Sequence, residues 1–233
     1  MAGMTEPDQA PDPVLVASVG RRLEVVRNRI ADAGGDPERV RVVAVTKRQP
    51  SEVARAAVAA GVLDLGENYA SELLAKTEAL SGTDPLRWHL LGAIQRRRVR
   101  SLAGVVALWQ SVARVEEAIQ IARFAPGARV LVEVELTGLP GRNGVGADQV
   151  GALASRVVEE GLDLLGLMTV APPGDPRGAL ACFERCSSLA DSLGLPERSM
   201  GMSDDLELAV RAGSTMVRVG RALLGPRPTG AVA

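Results

Sequence analysis

The chain has 233 residues, 27 lysines plus arginines against 28 aspartates plus glutamates, and a formal net charge of −1. The mixed, near-neutral charge excludes the basic face of a nucleic-acid protein, and 2% aromatic content excludes a stacking platform for single strands. No apolar run reaches membrane-spanning length, and a chain this long with 46% hydrophobic residues suits one large domain, a barrel or an open α/β sheet.

Residues 1–13, MAGMTEPDQAPDP, are acidic, contain proline and lack a basic n-region. They read as a disordered lead-in, neither signal peptide nor mitochondrial presequence, so a cytoplasmic protein is expected. Val14 to Ala31 then shows helical spacing, with Val16, Val19, Leu23, Val26 and Ile30 on one face and arginines opposite. Ala33-Gly34-Gly35 ends that helix.

From there strands and helices alternate. Strands are expected at 40–46, 62–65, 86–91, 105–109, 129–136, 162–168, 197–201 and 215–219. Helices are expected at 51–60, 69–80, 94–102, 113–125, 147–160, 177–193 and 204–212. Short apolar runs separated by helical stretches mark parallel βαβ units. Eight of them in one chain fit a TIM-type (β/α)8 barrel with an added N-terminal helix, ahead of a doubly wound sheet.

A barrel places its chemistry at the C-terminal ends of its strands. The first strand, in RVRVVAVTKRQP (39–50), ends at Lys47. Taken alone, that lysine either snorkels to solvent or sits in a site where partial burial frees its amine as a nucleophile. The second strand ends in GENY (66–69), the third at Gly92, the fourth at Ser111, the fifth near Glu133 and Glu135, and the sixth at Met168 and Thr169. The seventh runs into SMGMS (199–203), and the eighth, MVRVGR (216–221), carries Arg218 with Gly220 after it. Ser203 is a candidate cap of a helix starting at Asp204, and Gly220 with the Arg221 amide opens a last short helical turn. Backbone amides there attract an anion. With a lysine across the mouth, these parts point to a phosphorylated aldehyde or ketone held as a Schiff base, and pyridoxal phosphate meets that description best.

The motifs VAVTK (43–47), GENY (66–69), WHLLGAIQ (88–95), GLMTVAP (166–172), SMGMSDDLELAVRAGSTMVRVG (199–220) and ALLG (222–225) resemble the pyridoxal phosphate homeostasis proteins. These are small single-domain relatives of the alanine racemase barrel. The resemblance implies a fold-type III barrel over 14–226 and a flexible tail at 227–233. It implies a Schiff base on Lys47, Asn68 beside the cofactor, Met168 at the barrel mouth, phosphate at Ser203 and the Gly220–Arg221 backbone, and Arg218 facing the pyridine nitrogen. The chain departs from the family at Ala93, where histidine is common, at Arg96, Arg97 and Arg98, where Ser-Asn-Lys is usual, and at Arg221, which replaces a hydroxyl residue. The glycines of LPGRNGVG (139–146) read as flexibility.

The resemblance further implies storage, buffering or delivery of pyridoxal phosphate without substantial turnover, with apo pyridoxal-phosphate enzymes as candidate recipients. The alternative is an amino-acid racemase, and a class I aldolase ranks third. An arginine opposite the ring nitrogen leaves that nitrogen unprotonated and weakens the electron sink. Racemisation needs acid/base groups on both faces, whereas the sequence stops soon after the eighth strand and Tyr69 is its one tyrosine. The missing second domain favours a monomer. His89, inside an apolar strand, reads as a satisfied core residue. Cys182 and Cys186 read as small buried side chains on one helix face, and with a single histidine no zinc site is expected. Arg96–Arg100 reads as a solvated face.

Overall fold

The computed structural model describes residues 10–83 and 85–227. The lead-in expected at 1–13 lies outside these residues as far as position 9, and the tail expected at 227–233 lies outside them beyond Arg227. Helix α1 (Pro13–Asp32) opens on Asp12, whose side chain accepts the Val14 amide at 2.9 Å, with proline at the first helical position. Its face of Val19, Leu23, Val26 and Ile30 is buried against α2 (Ser51–Ala59), α8 (Leu206–Arg211) and α9 (Arg221–Leu224). Arg29 ties it to α8 through Glu207 at 2.6 Å.

The barrel strands are β1 (Arg41–Val45), β2 (Asp64–Glu67), β3 (Arg87–Leu90), β4 (Val106–Val112), β5 (Arg129–Glu135), β7 (Asp163–Met168), β8 (Glu197–Ser199) and β9 (Met216–Val219). Each pairs in parallel with its neighbours; β4 pairs β5, and β1 closes the ring on β9 with Val43 opposite Arg218. A two-residue strand, β6 (Val145–Gly146), lies beside the end of β5. Between the strands run α3 (Ala70–Ala79), α4 (Val99–Leu102), α5 (Val115–Phe124), α6 (Val150–Glu159) and α7 (Pro176–Ser192). The TIM-type barrel expected from the alternation is the fold observed.

Two cores follow from the period-two alternation of strand side chains. One face of each strand packs against the helices, where Leu65, Trp109 and Phe183 are wholly buried. The other face fills the barrel with Val43, Leu108, Leu131, Met168 and Met216. Cys182 and Cys186 are buried and unbridged in α7, and burial pushes the Cys186 thiol up to about 12.

Several boundaries differ from the expected ones. Strand β2 runs two residues later than 62–65, because Gly66 and Glu67 hydrogen-bond in register with β3. Strand β4 extends to Val112, since its bulge against β5 absorbs a register shift. Arg96–Arg98 form a 3-10 turn ahead of α4, not part of one helix over 94–102. Among the described residues no helix is long and apolar enough to cross a membrane.

Candidate functional site

Strand β1 positions the lysine at its end. Val43 belongs to the barrel interior, so alternation carries Val45 and then Lys47 to the same side, above the mouth. The intervening Thr46 faces outward, where its hydroxyl donates to Glu67 Oε1 at 2.6 Å. Lys76 on α3 donates to the Thr46 carbonyl at 2.7 Å and to the same Glu67 oxygen at 2.5 Å. Glu72 accepts the Arg48 amide at 2.7 Å, which holds Arg48 in the left-handed region at φ 58°. A buried ion pair and a carboxylate therefore fix the backbone on both sides of Lys47. Burial pulls the half-buried Lys47 below the ordinary lysine range, and the Arg227, Arg48 and Arg218 cations pull the same way against Glu67.

Arg218 projects from β9 into the interior and is 4% exposed. Its NH1 donates to the Ser199 carbonyl at 2.6 Å and the Ser199 hydroxyl at 2.8 Å, and its NH2 to the Thr169 carbonyl at 2.8 Å. No carboxylate among the described residues lies within salt-bridge distance of it. Burial lowers its pKa, and the Glu133 charge is the largest influence opposing that. The Ser199 hydroxyl donates onward to Gln110 Oε1 at 2.6 Å, Gln110 Nε2 reaches His89 Nδ1 at 2.6 Å, and His89 Nε2 reaches Asp64 at 2.9 Å.

Ser203 is not the cap of the helix expected at Asp204: α8 begins at Leu206 with Asp205 at its N-cap. Its hydroxyl instead accepts the Ala222 amide of α9 at 3.2 Å, bringing Ser203 beside Gly220 and Arg221. The Arg221 guanidinium pairs at the surface with Asp204 at 2.6 Å. Met168 lies in the interior cluster, beneath the mouth. Asn68 follows β2 and is packed against Gly92, where an added Cβ would stand 2.1 Å from the Asn68 carbonyl oxygen. The seven residues singled out in the sequence all belong to the C-terminal end of the barrel or to its interior just below.

The loop read as flexible, 139–146, is tied down. Arg142 donates to the Ala171 carbonyl at 2.7 Å, Asn143 hydrogen-bonds Glu133, and Val145–Gly146 adds β6 to the sheet. Glu133 is buried, and that burial raises its pKa against the hydrogen bond from Asn143. Glu133, Thr169 and Ser199 were visible in the sequence as strand ends. Gln110 carried no such signal: it lies mid-strand in VALWQSV, and only its inward register gives it a role.

A family model for the alanine racemase N-terminal domain matches residues 19–228. The pyridoxal phosphate homeostasis protein of Pseudomonas aeruginosa is 38% identical over 226 residues, covering 94% of this chain and 96% of that one. The protein of the same name from Deinococcus radiodurans is 38% identical over 213 residues, covering 88% and 99%. Among solved structures, PipY of Synechococcus elongatus with pyridoxal phosphate bound superposes with a TM-score of 0.80 at 30% identity, covering 89% of this chain and 100% of that one.

Proposed function

Because the chain belongs to the alanine racemase N-terminal domain family and, within it, to the pyridoxal phosphate homeostasis proteins, we propose that it binds pyridoxal 5'-phosphate and takes part in homeostasis of that cofactor. The group supplies an aldehyde that condenses reversibly with an amine, a basic ring nitrogen and a phosphate dianion. The donor set at the barrel mouth fits these three features.

Lys47 supplies the amine. Its lowered pKa leaves more of it unprotonated near neutrality than an exposed lysine would have. The Ser203 hydroxyl and the Gly220–Arg221 backbone offer donors to the phosphate, the Ala222 amide being taken up by the Ser203 oxygen and the Leu223 and Leu224 amides by the Gly220 carbonyl. Arg218 spends three N–H bonds on Ser199 and Thr169; an arginine has more donors than these, and remains charged when it faces a ring nitrogen. Asn68 and Met168 border the group from the second and sixth barrel strands. On this reading the protein stores, buffers or delivers the cofactor rather than turning over a substrate, in the cytoplasm and as a monomer, with apo-enzymes as recipients.

One observation carries the reading. The chain has two lysines, Lys47 and Lys76. Lys76 is 4% exposed and bound to Glu67, Glu72 and the Thr46 carbonyl, whereas Lys47 stands half-buried at the mouth. Borohydride reduction in the presence of pyridoxal phosphate is expected to fix a pyridoxyl group on the Lys47 peptide by mass, and Lys47→Ala to abolish it while leaving circular dichroism unchanged. A label on Lys76 would overturn the assignment.

A further inference from the structure

A TIM-barrel interior is ordinarily filled with branched apolar side chains. Here a file of polar side chains crosses it from Arg218 on β9 through Ser199 on β8, Gln110 on β4 and His89 on β3 to Asp64 on β2, every member less than a tenth exposed. At the far end Arg87 closes the file, donating to both Asp64 oxygens at 2.8 Å and 2.6 Å.

The chemistry of the two ends fixes the direction of every bond. Arginine only donates and an ionised aspartate only accepts. Ser199 accepts from Arg218, so its own proton goes to Gln110 Oε1. The Gln110 amide nitrogen then donates to His89 Nδ1, and spends its other hydrogen on Met216 Sδ at 3.0 Å. His89 is left with its proton on Nε2, which donates to Asp64. The reversed Gln110 amide would require a proton on His89 Nδ1 beside the Asp64 contact, an imidazolium in a site 1% exposed.

We propose that this file is a relay of fixed polarity that orients the Arg218 guanidinium, and that Gln110 and His89 are positioning residues for the cofactor ring nitrogen it faces. The relay joins a buried cation that has no hydrogen-bonded carboxylate among the described residues to an aspartate on the other side of the barrel. A hydrogen-bond chain whose members all point one way is polarised cooperatively, so the Asp64 charge steadies Arg218 through three neutral side chains. Burial lowers the His89 pKa against the pull of Asp64, and the Arg41 and Arg87 cations act with burial; the group at Nδ1, Gln110, is neutral. His89 therefore stays an uncharged link across neutral pH. The ring-facing role rests on the cofactor reading above, while the relay itself belongs to the protein alone.

His89 is the chain's one histidine, so its imidazole nitrogens give an unambiguous signal in 15N NMR of the cofactor-free protein. The expected spectrum at neutral pH is that of the neutral Nε2–H tautomer. A proton on Nδ1, in either the neutral or the charged ring, would overturn the polarity. Gln110→Glu keeps the shape but can only accept at His89, and is expected to convert the signal to imidazolium. A Gln110→Glu spectrum identical to the wild type would also count against the relay.

The positioning role is read in protein loaded with ring-15N pyridoxal phosphate. Gln110→Leu is expected to displace the ring-nitrogen resonance and weaken retention roughly tenfold, while borohydride still fixes the group on Lys47. An unmoved resonance would overturn positioning. Failure of the wild type to label at Lys47 would instead sink the cofactor reading and the ring-facing role together, and the cofactor-free His89 spectrum would still decide the relay.

Discussion

Partial burial at the barrel mouth, helped by the cations of Arg227, Arg48 and Arg218, lowers the Lys47 pKa. Its trapping by pyridoxal should therefore rise with pH at a midpoint below that of a free lysine. Arg48→Asn removes one of those cations and keeps a residue that tolerates the left-handed backbone. The midpoint should move up toward the ordinary lysine value, read from borohydride trapping rates across pH; no movement would remove Arg48 from the causes and leave burial with Arg227 and Arg218. Asp64 behaves in the opposite sense. Burial works to raise its pKa, but hydrogen bonds from Arg87 and His89 outweigh it and hold the carboxyl well below the usual range. A carboxyl depressed in the folded state contributes stability that is present above its unfolded pKa, about 4, and lost as pH falls through its folded value. Asp64→Asn should cost roughly 2 kcal/mol at neutral pH and flatten the acid limb of a urea-midpoint-against-pH curve.

The elements proposed to carry the phosphate donors meet by tertiary contact rather than by sequence. Ser203 and Ala222 are joined by one hydrogen bond between the β8–α8 turn and α9. Ser203→Ala should weaken cofactor retention by roughly 1–2 kcal/mol without preventing labelling of Lys47 at saturating cofactor, as equilibrium dialysis can show. Gly92 illustrates a steric requirement of the same kind. A methyl group there meets the Asn68 backbone at 2.1 Å, and no side chain can yield to relieve it. Gly92→Ala should displace the turn holding Asn68 and destabilise the protein by roughly 1–3 kcal/mol, with a lower melting temperature as the measure. Such contacts explain what could be read from the sequence and what could not. The strand ends were legible because β-branched runs stop at turn residues; Lys47 and Gly220 sit at those stops, and Arg218 lies just inside the last strand. The true partner of Ser203 was not, because GMSDD (201–205) looks the same whether the serine caps its own helix or reaches another. The ties of Arg142 and Asn143 were hidden for a related reason: glycines at 141, 144 and 146 signal backbone freedom, and say nothing of side chains that spend it.

At the scale of the whole barrel, closure by β1 on β9 places Val43 opposite Arg218 and so brings the first and last strands of the chain under one mouth. On the proposed reading, covalent attachment at Lys47 and ring contact at Arg218 depend on the complete ring, and neither half of the sequence holds both residues. On the same reading the buried guanidinium of Arg218 leaves the ring nitrogen unprotonated and weakens the electron sink, and Tyr69, the one tyrosine, is 44% exposed. Loaded protein in deuterated water is expected to show no Lys47-dependent exchange of the alanine or serine α-proton over many turnovers. Sustained exchange abolished by Lys47→Ala would replace the binding reading with a catalytic one.

The pairing of 25 arginines with two lysines has a meaning for the surface as well as for the site. Aldehydes condense with primary amines wherever these are exposed, and guanidinium groups, protonated throughout the neutral range, do not compete. A coat of arginine gives the molecule its positive charges while leaving those side chains chemically silent toward the aldehyde that Lys47 is proposed to hold. Occupancy then has one value per chain rather than a spread of adventitious adducts, and uptake becomes a titration with a sharp equivalence point. Intact-mass spectra after reduction should show a single pyridoxyl increment across a wide excess of aldehyde, with any slower second addition confined to the terminal amine.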